Sequence, residues 1–290
     1  MKACPSCGSN DVKEYEYEEG AIMLCKGCKL QWAEYDARFE KSTDAMVLQE
    51  PIRESIHSRY MSPSSIPAAS KYPPYVAFFD FLKTKKPERQ LRILDIGCGN
   101  GMFLQECLRR GYDAIGIEAN NNLRTVIPEN ILNRVIFSPI EKIDTFEQPF
   151  DVVTFWDSFE HLSNGFELLD RVRTYLKNDG IIYLRVNNNH DITNFLTLFM
   201  LRLFPKAGKR MLKICFGFPD HVWNFSKIGM QNLLTKKNWK TILSCFSETP
   251  PSRFTKNIIL AGMIRSAYLL NKIVGGGKIG EYYIGISAKD

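Results

Sequence analysis

The 290-residue chain lacks an apolar run long enough to cross a bilayer. Its two most apolar stretches, residues 192–204 and 258–274, are short or interrupted by charged side chains, whereas a spanning helix needs about 20 apolar residues. The opening, MKACPSCGSN, contains no charged-then-apolar signal segment. A disulfide framework is also missing, because four of the eight cysteines form two Cys-x-x-Cys pairs and the others are scattered. We therefore expect a cytoplasmic protein without a transmembrane segment.

Negative charge is scarce between residues 202 and 240. Residues 202–240 contain nine Lys/Arg and one acid, Asp220, whereas residues 1–60 contain eight Lys/Arg and eleven Asp/Glu. The net charge of +6 therefore belongs to a late basic segment, and the beginning of the chain is acidic.

The two Cys-x-x-Cys pairs are separated by seventeen residues, which is a zinc-binding spacing. Between them, residues 12–17 and 21–24 have the pattern of a β-hairpin. We predict a zinc ribbon over residues 1–32, with four thiolates closing a structural site: Cys4, Cys7, Cys25 and Cys28. The ribbon could bind a substrate or partner, or it could be a stabilising cap. Its acidity argues against gripping phosphates and favours the cap.

Residues 33–71 are polar and predict a linker before a larger domain over residues 72–290. The centre of that domain lies between residues 91 and 118, where a strand, a glycine loop, a helix, a second strand and an acid follow one another. This order is the general plan of nucleoside-binding α/β domains. A dinucleotide fingerprint is excluded, because its third glycine would fall on Met102.

The spacing Gly97-x-Gly99-x-Gly101, with Asp95 two residues earlier, resembles motif I of the class I S-adenosylmethionine-dependent methyltransferases. The resemblance covers roughly residues 72–290. It implies an α/β fold, namely a Rossmann-like seven-stranded methyltransferase sheet with helices on both faces. It also implies S-adenosylmethionine as cofactor, with Glu118 at the end of the second strand taking both ribose hydroxyls. The alternative is a Rossmann-like domain that binds another nucleotide.

The same resemblance supplies the remaining cofactor contacts. The family often places an acid or amide after the third strand, but this chain has Pro139 there, so the backbone around Ile140 or the side chain of Glu141 could substitute. The fourth strand runs into Trp156 and Asp157, which should line the pocket of cofactor and acceptor. The expected cofactor-binding residues are Asp95, Gly97, Cys98, Gly99, Gly101, Glu118, Ala119, Ile140, Trp156 and Asp157.

Two histidines are candidate general bases. His161 belongs to a Glu-His-Leu exit loop like that of the family, and His221 begins a His-x-x-x-Phe-Ser segment common in ubiquinone-pathway-like methyltransferases. An imidazole has a pKa near neutrality and can accept a proton from an acceptor hydroxyl. The alternative for each is that it fixes its loop through hydrogen bonds.

Two segments depart from the minimal domain, at residues 189–221 and 249–277. Insertions at the first position form an acceptor lid in the family. A hydrophobic, basic lid would suit a lipid-linked or anionic acceptor and could rest on a membrane surface. The alternative is one buried helix followed by a solvated basic loop.

The chain lacks the Asn/Asp-Pro-Pro-Tyr/Phe tetrad of many amine methyltransferases, which favours an oxygen acceptor. We predict O-methylation of a small or carrier-linked metabolite, such as a sugar, a polysaccharide end or a quinone-like phenol. One alternative is an RNA base methyltransferase that reads RNA through the ribbon, and another is a non-enzymatic scaffold that binds the cofactor.

Overall fold

The computed structural model describes residues 3–35, 70, 72–87, 90–189, 192–247, 266 and 281–287. The chain divides into two compact units. The first, here called the ribbon unit, consists of Met1–Asp36, Phe159–Gly165 and Leu184–Gly285. The second, here called the glycine-loop unit, consists of Ala37–Ser158, Phe166–Tyr183 and Ile286–Asp290.

A four-stranded antiparallel sheet forms the beginning of the ribbon unit. Its order is β1 (Val12–Tyr17), β2 (Gly20–Cys25), β3 (Gln31–Tyr35) and β9 (Trp223–Asn224). The hairpin of β1 and β2 lies where the sequence predicts it. The predicted ribbon boundary at residue 32 falls inside β3. Sequence patterns missed this continuation because the neighbouring β9 is only two residues long and comes from a distant part of the chain.

The basic segment of the ribbon unit is a helical hairpin. Helix α5 (Ile192–Leu203) is followed by α6 (Pro205–Phe216), so the alternative of a solvated basic loop is wrong. Proline at the first position of α6 is compatible with helix initiation. The α5–α6 hairpin and the ribbon sheet share one buried cluster, which consists of Tyr15, Ile22, Leu24, Ala33, Leu201, Leu212, Phe216 and Phe218.

Helix α7 (Lys227–Lys236) and strand β10 (Lys240–Ser247) follow the hairpin. Ser226 caps α7 by accepting from the backbone N–H of Gly229 at 2.8 Å, and its hydroxyl donates to the carbonyl of Cys28. One serine therefore ties the start of a late helix to the second cysteine pair.

The glycine-loop unit follows the order of an α/β domain. The elements from α1 to β11 are α1 (Pro73–Lys85), β4 (Arg92–Ile96), α2 (Met102–Arg109), β5 (Asp113–Glu118), α3 (Glu129–Leu132), β6 (Val135–Phe137), β7 (Phe150–Trp156), α4 (Gly165–Tyr175), β8 (Leu176–Asn187) and β11 (Glu281–Ser287). The last two strands extend beyond this unit. A seven-stranded sheet has the order β10-β11-β8-β7-β4-β5-β6, in which β7, β4, β5 and β6 pair in parallel. The predicted α/β fold class is confirmed.

Strand β8 begins at Leu176, so it includes a short polar sequence at its start. The sequence Lys177-Asn-Asp-Gly180 suggests a turn, but the structure assigns these residues to the strand. Their exposed polar side chains make ion pairs: Lys177 Nζ lies 2.9 Å from Asp151, and Asp179 pairs with Lys86. These residues are polar because they form an exposed strand end. An exposed strand end and a turn have similar polar sequences, so the sequence alone does not distinguish them.

Within the described part of the chain, no helix combines the length and the apolar character that a bilayer span requires. Most of the predicted linker, residues 36–69, lies outside the described residues, as does the predicted insert at 249–277 apart from residue 266.

Candidate functional site

The loop after β4 has a backbone that favours glycine at three positions. Gly97, Gly99 and Gly101 have φ angles of 76°, 56° and 75°, in the left-handed region that costs other residues strain. A Cβ on Gly97 would lie 2.5 Å from the Cβ of Ser158, so the loop packs against the end of β7. A Cβ on Gly99 would meet nothing within 4 Å. The main chain at Gly99 is therefore open to a ligand.

Glu118 connects the end of β5 to this loop. One carboxylate oxygen accepts from the N–H of Gly99 at 2.9 Å, and the other accepts from the N–H of Asn120 at 2.8 Å. Burial raises the pKa of Glu118, although these amides act in the opposite direction. A carboxylate has about four acceptor positions, so two remain for ligand hydroxyls.

Asp95 lies on β4, two residues before Gly97, and is buried in the sheet. Its side chain is buried and accepts from Thr154 Oγ1 at 2.8 Å, across the paired strands β4 and β7. Burial raises the pKa of Asp95 to about 7, and the nearby charge of Glu118 acts in the same direction. Asp95 therefore links β4 to β7 directly before the glycine loop, with a pKa near neutrality.

The end of β7 combines a strained residue with an aromatic cluster. Asp157 has a φ of 51°, which is uncommon for a residue other than glycine and is often found at functional sites. The ring of Trp156 contacts those of Tyr75, Phe103 and Tyr183 at centroid distances of 4.8, 4.8 and 5.4 Å. The indole Nε1 of Trp156 is buried and has no hydrogen-bond partner among the described residues.

The remaining expected cofactor residues lie in the same unit. Ile140 is buried and begins a short 3₁₀ turn after β6. Ala119 is half-buried directly after Glu118. Cys98 is buried against Gly116, where a Cβ would lie 2.6 Å from its Sγ, and burial raises the pKa of its thiol well above the ordinary value. The structure thus places all ten expected residues in the glycine-loop unit, and their contacts with the cofactor stay predictions.

The four ribbon cysteines converge in the ribbon unit. Sulfur atoms of Cys4 and Cys28 lie 3.6 Å apart, as do those of Cys7 and Cys25, and all four sulfurs lie within 4.8 Å of one another. Tetrahedral zinc with bonds of about 2.3 Å separates its sulfur ligands by about 3.8 Å. The donor set and its spacing therefore fit zinc.

The two candidate bases are neighbours in the ribbon unit. The rings of His161 and His221 are 4.7 Å apart between centroids. Nδ1 of His161 lies 2.8 Å from the carbonyl oxygen of Asp220, and Nδ1 of His221 lies 2.8 Å from that of Phe216. A carbonyl oxygen only accepts, so each neutral ring carries its proton on Nδ1 and has a lone pair on Nε2.

The side-chain amide of Asn187 also lies 2.9 Å from Nδ1 of His221. An amide can rotate to present its oxygen, whereas the carbonyl of Phe216 cannot change its role, so the carbonyl decides the tautomer. Glu160, His161 and His221 each offer a ligand atom within 4.8 Å of the others. Two imidazoles and one carboxylate could hold a divalent cation.

Several supporting residues of these sites carry little or no local sequence signal. Thr154 could have been found from the register of two buried parallel strands, since it pairs with Asp95. No sequence signal indicates the buried amides of Gln31, Asn194 and Asn224, in which Gln31 donates to Asn194 at 2.8 Å and accepts from Asn224 at 3.0 Å. These three amides come from distant parts of the chain.

A family model described as a methyltransferase domain matches residues 69–244. The chain therefore belongs to the methyltransferase domain family, and the class predicted from motif I is confirmed.

Among curated relatives, the ubiquinone biosynthesis O-methyltransferase of Acinetobacter baylyi is 30% identical over 129 residues, which cover 40% of this chain and 53% of that protein. The protein of the same name from Roseobacter denitrificans is 26% identical over 167 residues, covering 54% of this chain and 66% of that protein. The chain thus spans about half to two thirds of the length of these relatives.

Among solved structures, the plantazolicin methyltransferase BpumL in complex with SAH covers 87% of this chain and 95% of its own, with 17% identity and a TM-score of 0.55. The cyclopropane synthase MmaA2 from Mycobacterium tuberculosis covers 73% and 83%, with 14% identity and a TM-score of 0.51. At these identities the likeness concerns the fold alone.

Proposed function

We propose that this chain transfers a methyl group from S-adenosylmethionine to an oxygen atom of a small or carrier-linked acceptor, for which a quinone-like phenol is the favoured class. The observation that carries the proposal is the joining of the glycine loop to Glu118 through the N–H of Gly99. Family membership gives this loop its chemical meaning.

The glycine-loop unit fits S-adenosylmethionine through its own residues. Glu118 has two acceptor positions left, which suit the two ribose hydroxyls, and its bonds to backbone N–H groups fix its orientation. The open main chain at Gly99 admits a ligand closely. The bound cofactor supplies an electrophilic methyl group on sulfonium sulfur. The protein's contribution is to orient the methyl group and the acceptor in line.

The similarity to ubiquinone biosynthesis O-methyltransferases supports an oxygen acceptor on a phenol. The absence of an Asn/Asp-Pro-Pro-Tyr/Phe tetrad agrees with oxygen rather than an exocyclic amine. Sugars and polysaccharide ends are the other acceptors that the same oxygen chemistry would serve.

His221 is proposed as the general base that takes the proton of the acceptor hydroxyl, with His161 as the second candidate. The contacts of their Nδ1 atoms with backbone carbonyls support this role, since each leaves Nε2 as the proton acceptor. A base is needed only while the hydroxyl remains protonated.

Zinc is proposed as the structural ion of the ribbon, held by Cys4, Cys7, Cys25 and Cys28. Four thiolates close the coordination sphere, so the ion contributes folding free energy rather than catalysis. The buried cluster shared by the ribbon sheet and the α5–α6 hairpin supports a stabilising role.

The decisive experiment supplies purified protein with S-adenosylmethionine carrying a radiolabelled methyl group and an extract of a strain that lacks the protein. The extract is then separated into RNA, protein, lipid, glycan and soluble fractions. We expect label in the lipid, soluble or glycan fraction, carried by an ether stable to mild base. The control is Glu118→Ala protein, which should transfer no label.

Two outcomes would contradict the proposal. Label in RNA would make the chain an RNA methyltransferase, and the affinity for RNA would then fall steeply with salt. Cofactor binding without label in any fraction would favour a scaffold. The favoured phenol class is tested by comparing a prenylated catechol with its doubly O-methylated analogue, which has no hydroxyl left to accept methyl.

A further inference from the structure

The turn between α5 and α6 exposes apolar and basic side chains together. Residues 202–207, here called the hairpin tip, are six consecutive exposed residues. Within the tip, 54% of Leu203 and 59% of Phe204 remain exposed. Neighbouring large apolar side chains that remain exposed on a folded protein commonly mark an interaction site.

The exposed surface continues along both helices of the hairpin. Phe199 precedes Leu203 by four residues on α5 and is 51% exposed, so the two share a helix face. On α6, Lys206 and Arg210 are also four residues apart and exposed. The sequence contains no acid from residue 192 to residue 219, so the hairpin itself contributes cations and no acid to this surface. Glu19 of the ribbon sheet pairs with Lys213 farther along α6, outside the tip.

The hairpin is firmly attached on its other side. A Cβ on Gly208 would lie 2.4 Å from the backbone of Leu201, so the two helices cross at close range. Leu212 and Phe216 are buried in the cluster shared with the ribbon sheet, and Tyr17 donates to the carbonyl of Lys209 at 2.8 Å. Since these contacts hold the opposite side, the tip cannot bury its apolar residues by folding inward.

We propose that the hairpin tip docks on the surface of an anionic lipid bilayer. Leu203 and Phe204 enter the boundary between headgroups and acyl chains, while Arg202, Lys206 and Arg210 lie among the lipid phosphates. Charge complementarity selects this occupant. A second copy of the chain would bring two cationic tips together, with no acid on either to offset the repulsion.

The test measures flotation of the full-length, zinc-loaded protein with vesicles. One set contains phosphatidylcholine alone, and the other contains phosphatidylcholine with phosphatidylglycerol. The tip variant carries Phe204→Ser and Lys206→Glu. The matched control carries Lys227→Glu and Ile228→Ser, which change an exposed cation and an exposed apolar residue on α7 in the same unit.

We expect wild type and the control to float with the anionic vesicles and not with phosphatidylcholine alone, and added salt to weaken this binding. The affinity of the tip variant for the anionic vesicles should be lower by a factor of roughly 50 or more, because an apolar anchor is lost and one charge is reversed. Equal binding by the tip variant and the control would overturn the proposal, as would wild-type protein that binds neither vesicle. If wild type self-associates, the tip variant does not, and neither binds vesicles, then the tip docks on a second copy of the chain and the proposal is overturned.

A second variant tests insertion directly. Phe204→Trp keeps an aromatic ring at the tip, and vesicles with brominated acyl chains quench indole fluorescence at the acyl boundary. We expect quenching of this variant beyond that of wild type. Flotation without added quenching would reject the proposed insertion of residue 204.

Discussion

At the scale of single residues, the site depends on carboxyl groups that meet backbone N–H groups or a hydroxyl. Glu118 accepts from Gly99 and Asn120, and Asp95 accepts from Thr154. Each group is held in a fixed orientation before a ligand arrives, which reduces the free energy needed for ordering on binding.

Glu118→Ala should strongly weaken the binding of S-adenosylmethionine. Losing two charge-assisted hydrogen bonds, each contributing about 1.5–3 kcal/mol, should weaken affinity by roughly 100-fold to 20,000-fold. Isothermal titration calorimetry measures this change. Glu129→Ala, at an exposed carboxylate on α3, is the matched control and should bind normally. Zinc content should be unchanged in both, and normal affinity of Glu118→Ala would reject the cofactor assignment.

Gly99→Val should also prevent cofactor binding, for a different reason. Gly99 has a φ of 56° and open space where its Cβ would be, so valine is strained there and fills the space offered to the ligand. Calorimetry on the folded variant measures the effect. Retained binding would show that the ligand does not approach this main chain.

Asp95→Asn should change how stability depends on pH. Burial raises the pKa of Asp95 to about 7 in the folded protein, against about 3.9 in an unfolded chain. Between these two pH values the folded state keeps Asp95 protonated, whereas the unfolded chain does not. The contribution of the Asp95 proton to stability is therefore full below about pH 4 and is lost as the pH rises through about 7. Asparagine keeps the oxygen that accepts from Thr154.

Urea denaturation of the cofactor-free proteins across this pH range measures the difference in free energy of unfolding. We expect the free energy of unfolding of Asp95→Asn to increase relative to that of wild type as the pH rises. The increase should reach up to about 4 kcal/mol at pH values above neutrality. A difference that stays constant with pH would show that Asp95 does not titrate as its burial indicates.

His221→Gln should leave cofactor affinity unchanged and lower kcat by roughly 100-fold to 10,000-fold near neutral pH. The loss should shrink as the pH approaches about 10, where a phenolic acceptor ionises without a base. His161→Gln, measured in parallel across the same pH series, compares the two candidates. Unchanged turnover of His221→Gln would reject His221 as the general base and favour the alternative that it fixes its loop through hydrogen bonds.

At the scale of secondary-structure elements, close backbone packing holds the two helices of the α5–α6 hairpin together. Gly208→Ala raises helix propensity by about 1 kcal/mol. The added Cβ would nevertheless lie 2.4 Å from backbone atoms of Leu201, which cannot rotate away. We expect the steric cost to exceed the propensity gain and the variant to be destabilised by about 1–3 kcal/mol.

Urea denaturation compares Gly208→Ala with Ala207→Gly, at the adjacent exposed position where only propensity changes. Both variants should be less stable than wild type, the first through the clash and the second through propensity. A more stable Gly208→Ala protein would show that the helices separate at little cost.

At the scale of the whole molecule, the ribbon unit joins segments from both ends of the described chain. Trp32 on β3 and Trp223 on β9 pair across the four-stranded sheet and are both buried. The hydroxyl of Ser6 donates to the carbonyl of Gly229 at 2.6 Å. The cysteine cluster therefore lies within a larger packed unit.

Removing zinc should destabilise this unit. The variant Cys4→Ser should lower the unfolding temperature and shift tryptophan emission to longer wavelength, because Trp32 and Trp223 gain exposure to water. Metal analysis should give one zinc per wild-type chain. Cys245→Ser, at an exposed cysteine outside the cluster, should keep both its zinc and its unfolding temperature. Full stability without zinc would contradict the structural role.

Local sequence patterns were enough to predict several elements of this fold. The glycine loop, the acid at Glu118 and the buried strands are specified by neighbouring residues, because a left-handed backbone requires glycine and a buried parallel strand requires a continuous apolar run. The two cysteine pairs are equally local. Three other features are visible only in the folded chain: β9 completes the ribbon sheet, a helical hairpin packs against it, and the carbonyls of Asp220 and Phe216 set the histidine tautomers. These features depend on contacts between residues far apart in the chain, which no local pattern contains.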